Sequence, residues 1–169
     1  MSLPLGGGRV NGHKSAMSKS LKRVIAALRA AGLDAEPVEM GETRTAQQAA
    51  DAVGCALDQI AKSIIFGTGD GGCALFLTAG GNRVDGDRAA ALAGQPLIRA
   101  DADIVRAVTG CAIGGVSPVG HLRPSPVWMD NRLTGFEVVW AAAGTPRHVF
   151  PIAPADLLRI TGATLADFT

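Results

Sequence analysis

Few side chains of this sequence stand where they could do chemistry, and each has a plain structural alternative. Lys62 follows the apolar pair Ile60 and Ala61 and opens the run "SIIF". A lysine there is either an edge residue reaching solvent or a cation aimed into a pocket. In a pocket its compact charge suits phosphate or carboxylate, and burial eases loss of its proton. The stretch "GCAIGGVSPVGH" (110–121) holds four glycines, one proline and almost no acid or base. Gly114 and Gly115 permit close approach of a ligand to the backbone, and successive N–H groups in such a turn form a nest for an anion or a developing oxyanion. The alternative is a tight link between a helix and a strand.

Pro118 stiffens the far side of that stretch and holds Ser117 extended. Ser117 needs a base to act as a nucleophile. His121 lies four residues on, His148 is distant, and no GxSxG elbow is present. His121 is the better candidate for positioning substrate or water. Asp130 follows "VWM" at the end of an expected strand, where it either caps the turn "DNRLTG" or faces a pocket. Carboxylate pairs are lacking, and Cys55, Cys73 and Cys111 make no CxxC or His/Cys metal spacing. Neither a metal nor a cofactor is expected. "GTGDGG" (67–72) lies between two expected strands and opens no helix, unlike a nucleotide-binding glycine motif.

The elements that must position these residues follow from periodicity and punctuation. Leu21, Val24, Ile25 and Leu28 make one helical stripe, opened by Ser18 and stopped near Gly32. Residues 35–40 read as a short strand. Thr45 and Gln48 have capping-box spacing for a helix to Val53. Residues 57–68 read as a helical turn entering a buried strand, paired as a hairpin with 71–80. A helix ending at Gly94, a strand over 95–100 and a helix opened by Asp101 come next. "SPVWMD" and "FEVVWAAAG" read as strands, "RHVFPI" as a third strand paired with the latter, and "APADLLRITG" as a closing helix with Pro154 in its first turn. The order predicts an α/β (α+β) fold with several hairpins and not the regular βαβ alternation of a dinucleotide fold.

The 169 residues suit one domain with a real core, and 47% hydrophobic with 18% charged residues is a globular composition. Aromatics make up 4% with no tyrosine, which disfavours a broad base-stacking surface, and a net charge of +1 carries no large phosphate footprint. Apolar runs fall short of the roughly 18–20 residues that span a bilayer, so no membrane partner is expected. The odd cysteine count fits a reduced, cytoplasmic protein. "MSLPLGGGRVNGHKSAM" has no apolar h-region. Residues 1–16 are read as a flexible leader or expression scar, and 17–169 as the domain.

The segments "QIAKSIIF", "NRVDGDRAAALAG", "DADIVRAVTGCAIGGVSPVGH", "VWMD" and "PADLLRITGA" occur in the order seen in the YbaK-type aminoacyl-tRNA deacylases, free-standing relatives of the editing domain of bacterial prolyl-tRNA synthetase. The chain resembles that family over about residues 18–165. The resemblance implies a single compact domain with a mixed, strongly curved sheet and surrounding helices. It implies hydrolysis of the ester joining a wrong amino acid to the tRNA 3′ end. Lys62 matches the family's essential lysine, and Gly114, Gly115, Ser117 and Pro118 its substrate-pocket loop. Lys62, Gly114 and Gly115 are thus the expected catalytic set, with Ser117, Pro118, His121 and Asp130 expected at the substrate. The partners implied are the acceptor end of aminoacyl-tRNA and prolyl-tRNA synthetase. Ala142, Ala143 and Gly144 stand where the Cys-tRNA branch has "SGG", and Val149 where it has Asp, which argues against cysteine as the amino acid removed. Two other classes remain at this level: a non-catalytic tRNA- or synthetase-binding module on the same fold, and a serine esterase using Ser117.

Overall fold

Seven consecutive residues, Cys73–Ala79, are buried on both faces, and this strand (β3) is the axis of the molecule. A computed structural model describes residues 17–169; the leader expected over 1–16 lies outside the described residues. Successive side chains of a strand point to opposite faces. Leu75, Leu77 and Ala79 therefore enter one core, and Ala74 and Phe76 another. The larger core packs against α1 (Lys19–Ala30), α4 (Ala102–Thr109) and α5 (Pro154–Thr161) through Leu21, Val24, Leu28, Val105 and Leu157. The smaller one gathers Phe76, Ala89 of α3 (Gly86–Ala93) and Phe168. Phe76 stacks on Trp128 at 4.9 Å and meets Phe168 edge-on at 5.0 Å.

The described residues form a single mixed α/β domain with one eight-stranded sheet and five α-helices. The sheet order is β1 (Val38–Glu39), β7 (His148–Ile152), β6 (Val139–Ala142), β2 (Ile60–Thr68), β3, β5 (Val127–Asp130) and β8 (Thr164–Ala166). β2 and β3 pair antiparallel from Ala61–Ala79 to Gly67–Cys73, which is the expected hairpin. The other edge of β2 is divided. Parallel β6 takes Ile60 and Ala61, antiparallel β4 (Leu97–Arg99) takes Phe66 to Thr68, and the described strands leave residues 62–65 unpaired on that side.

Local chemistry places the helices where the sequence reading puts them. Ser18, Thr45, Asp85 and Asp101 each accept backbone N–H groups at the first turns of α1, α2 (Ala46–Val53), α3 and α4. Left-handed Gly54, Gly94 and Gly110 close the last three of these. Several strands are shorter than expected, among them β4, expected over 95–100 and found at Leu97–Arg99. The strand expected over 35–40 shrinks to Val38–Glu39, because Pro37 has no N–H to donate. β5 begins at Val127, after two prolines at 124 and 126, and β6 begins at Val139, where register with Ile152 of β7 starts. The short parallel strand β8 was not expected; it pairs with β5 at the sheet edge and its first two residues are exposed.

Candidate functional site

Lys62 stands at the divided edge of β2. Parity puts its side chain on the face of Ile60 and Ile64, between Ile60 packed with Ala49 and Ala50 of α2 and the cluster of Phe76. A cavity of about 240 Å³ opens there. Its floor is residues 60–64 of β2. Its walls come from α2 and the segment before it (Arg44, Ala49), from the Ile113–Gly115 turn, and from β6 and β7 (Trp140, Val149). Unpaired strand backbone and a glycine turn meet in one apolar chamber with a single lysine.

The amine of Lys62 is tied down. Its Nζ donates to the carbonyl of Asn82 at 2.6 Å, and the side chain is half-buried. Burial pushes its pKa below the usual lysine range, and the charge of Arg83 acts in the same direction; Asp130 and Asp58 oppose both. The segment 79–83 that supplies the carbonyl is itself fixed. Gly81 N–H donates to Asp58 at 2.8 Å, and Asn82 N–H to the carbonyl of Ala79 at 2.9 Å. A Cβ on Gly80 would lie 2.1 Å from the carbonyl oxygen of Leu57, so only glycine lets this segment lie against the Leu57–Gln59 turn.

The two glycines of the loop differ. Gly114 lines the cavity and is exposed, and a Cβ there would meet only the ring of Pro146 at 3.8 Å. Gly115 is buried, and a Cβ there would lie 2.3 Å from the carbonyl carbon of Thr145. Gly115 lets the loop press on the β6–β7 connection, while Gly114 presents backbone to the chamber.

The remaining expected site residues are placed behind this surface. Ser117 is fully buried, its Oγ accepts the N–H of Val119 at 3.1 Å, and its carbonyl accepts from Nε2 of His121. That arrangement overturns the serine esterase alternative: the imidazole engages the backbone oxygen of Ser117 and not its hydroxyl, and the hydroxyl does not reach the cavity. Pro118 and His121 line a separate cavity of about 610 Å³, bounded by Ala27 and Ala30 of α1 and Arg159 of α5. Burial lowers the pKa of His121, and the bond to the Ser117 carbonyl opposes this. Asp130, 5% exposed, accepts Ala79 N–H and the Asn82 amide and caps the Asn131–Gly135 turn through Arg132 N–H. Lys62 and Gly114 share the chamber; Gly115 backs it; Ser117, Pro118, His121 and Asp130 stand outside its lining.

His148 was not singled out by the sequence reading, yet it lines the chamber. Thr145 Oγ1 accepts the N–H of Arg147 at 3.2 Å and lies 2.6 Å from Nδ1 of His148. The only signal in sequence was a histidine at the start of a strand. Ala142 and Val149, the two departures noted above, also line the chamber. Among the described residues, no group of three or more His, Cys, Asp and Glu could hold a metal ion, and no helix is long and apolar enough to cross a membrane.

This geometry and the comparisons with known proteins agree on the class. The chain belongs to the aminoacyl-tRNA editing domain family, whose profile matches residues 41–160. It is 46% identical to a protein crystallised as a candidate trans-editing enzyme for prolyl tRNA synthetase; the match covers 91% of this chain and 99% of that one, with a TM-score of 0.85. The crystal structure of hypothetical protein APE2540 is 29% identical over 86% of this chain and 98% of its own, with a TM-score of 0.78. The uncharacterized protein YwhH of Bacillus subtilis is 32% identical over 114 residues, 67% of this chain and 72% of that protein.

Proposed function

We propose that this chain is a trans-acting deacylase that hydrolyses the ester between a small, wrong amino acid and the 3′ end of tRNA(Pro). The observation that carries the reading is that the anchored Lys62 and the Gly114 backbone line one small, mostly apolar chamber. An aminoacyl ester is already reactive, so the protein can act by position, water exclusion and N–H donors without a strong nucleophile. Lys62 holds the phosphate or ribose of the terminal nucleotide. The backbone at Gly114 cradles the carbonyl, with Gly115 packed behind it and its N–H donated to the Ala112 carbonyl, and water or a substrate hydroxyl attacks. Ser117, Pro118, His121 and Asp130 shape the site from behind. Ala142 and Val149 make the wall apolar, which suits alanine or a residue of similar size better than a polar one. Small apolar side chains are the ones a single synthetic site discriminates poorly. The net charge of +1 gives a small tRNA footprint, and a synthetase partner would supply the remaining contact.

The test is deacylation of Ala-, Ser-, Thr- and Cys-tRNA(Pro) beside cognate Pro-tRNA(Pro), with Lys62→Ala in parallel. The expected result is selective hydrolysis by the wild type and a loss of about 10²–10³-fold in the variant, the scale for removing one electrostatic contact to the transition state. Hydrolysis unaffected by Lys62→Ala would overturn the assignment of the lysine. No hydrolysis of any of the five would leave the tRNA- or synthetase-binding module as the better reading.

A further inference from the structure

Asp130 is a buried carboxylate that no cation touches among the described residues, and two of its three hydrogen bonds go to the segment that anchors Lys62. It lies one residue past the parallel pairing of β5 with β3, whose last register pair is Leu77 with Met129. That register brings its side chain to the last residue of β3. There Oδ2 accepts Ala79 N–H at 3.0 Å and Asn82 Nδ2 at 2.9 Å, while Oδ1 accepts Arg132 N–H at 2.9 Å. Asn82 is the hub. Its side chain binds Asp130, and its carbonyl binds Lys62 Nζ at 2.6 Å. A carboxylate sequestered from solvent is costly unless its lone pairs are filled. Here Oδ2 is filled by the segment that holds the lysine and Oδ1 by the turn that follows β5.

We propose that Asp130 is a positioning residue for Lys62: by gripping the Asn82 amide it fixes the Asn82 carbonyl, and that carbonyl aims the amine into the chamber. The inference rests on the reading of Lys62 as the group that meets the substrate. The charged groups that face the amine are Asp58 from the Leu57–Gln59 turn, Asp130 from β5 and Arg83 from the 79–83 segment; Arg44 and His148 line the chamber opposite. Asp130 therefore acts on Lys62 both through Asn82 and through its charge. Asn82 acts through geometry alone.

The experiment compares wild type, Asp130→Asn and Asn82→Ala by two readouts. The first is the pH dependence of Lys62 acylation by trace acetic anhydride, read by mass spectrometry; it needs no turnover. The second is kcat and KM on the aminoacyl-tRNA that the wild type cleaves best. The proposal expects Lys62 to label at lower pH in Asp130→Asn, since the opposing negative charge is gone, and with altered rate in both variants. It expects kcat to fall by about 10- to 100-fold with little change in KM, as for a misplaced but still bound reacting group. Unchanged labelling and unchanged kcat in folded Asn82→Ala would overturn it, and that variant removes no charge, so it stands if Asp130→Asn fails to fold. Altered Lys62 labelling with kcat untouched would retain the positioning and refute the role of Lys62 in the reaction. Loss of Lys62→Ala activity with both relay variants at wild-type rate would do the reverse.

Discussion

His121 shows how a residue that reads as chemistry can be architecture. In sequence it follows a glycine loop and invites assignment as a base or a water-holder. In the fold its Nε2 donates to the carbonyl of Ser117, and the ring lines the cavity on the far side of the loop from Lys62. Burial holds its pKa below the usual value. The folded ring resists a proton that the unfolded chain accepts, so this contribution to stability is full above about pH 6.5 and declines as pH falls through the lowered folded value. Urea unfolding of wild type and His121→Gln at pH 7.5 and pH 5 is expected to show a stability difference that shrinks at the lower pH. A difference that grows on acidification would mean a charged ring in the fold. Type and place left Lys62 open between a solvent-facing edge and a pocket, and the family resemblance singled it out; its partner was not legible, because a backbone carbonyl twenty residues away has no sequence signature. Asp130 was legible as a turn cap, which it is, while its link to Asn82 depends on the β3–β5 register.

The loop over 110–121 is the element on which site and fold meet. Its helix-stopping Gly110 and the tight turn at 113–115 follow from composition, and the structure contains both. What composition could not distinguish is which glycine is needed for space and which for exposure. Gly115→Ala is expected to cost about 1–3 kcal/mol of stability, the usual penalty for overpacking, because its Cβ would strike the Thr145 backbone. Gly114→Ala has room and is expected to leave stability within about 0.5 kcal/mol, the range of exposed substitutions, while weakening substrate use. Chemical denaturation and steady-state kinetics on the pair separate the two effects. Equal destabilisation by both would contradict this division. The β6–β7 hairpin, read correctly across "GTP", turned out to supply Trp140, His148 and Val149 to the chamber. Sequence showed that these strands pair. It did not show that β6 then lies against β2, since a two-residue parallel register leaves no periodic trace.

At the scale of the molecule, two cores share one central strand. The larger was visible in the stripe of α1 and the apolar strands. The smaller depends on Phe168, in a tail whose preceding strand is too short to announce itself. Phe168 is fully buried against Phe76, and its carbonyl accepts the N–H of Asp85 at the start of α3. Phe168→Ala is expected to destabilise the fold by about 3–5 kcal/mol, with the thermal midpoint as the readout. A loss below about 1 kcal/mol, the level of a surface change, would place the tail outside the cooperative unit.

The divided edge of β2 has a consequence for chain entropy as well as for shape. Lys62 rides on a hairpin closed by a short local turn over 69–72, whereas the wall opposite it returns from far along the chain and joins β2 through only Ile60–Trp140 and Ala61–Ala141. Short loops close at small entropic cost and long ones at greater cost. Loop closure therefore costs less for the hairpin that carries the lysine than for the wall opposite. In the native state that seam rests on two residue pairs, against seven in the β2–β3 hairpin that carries the lysine.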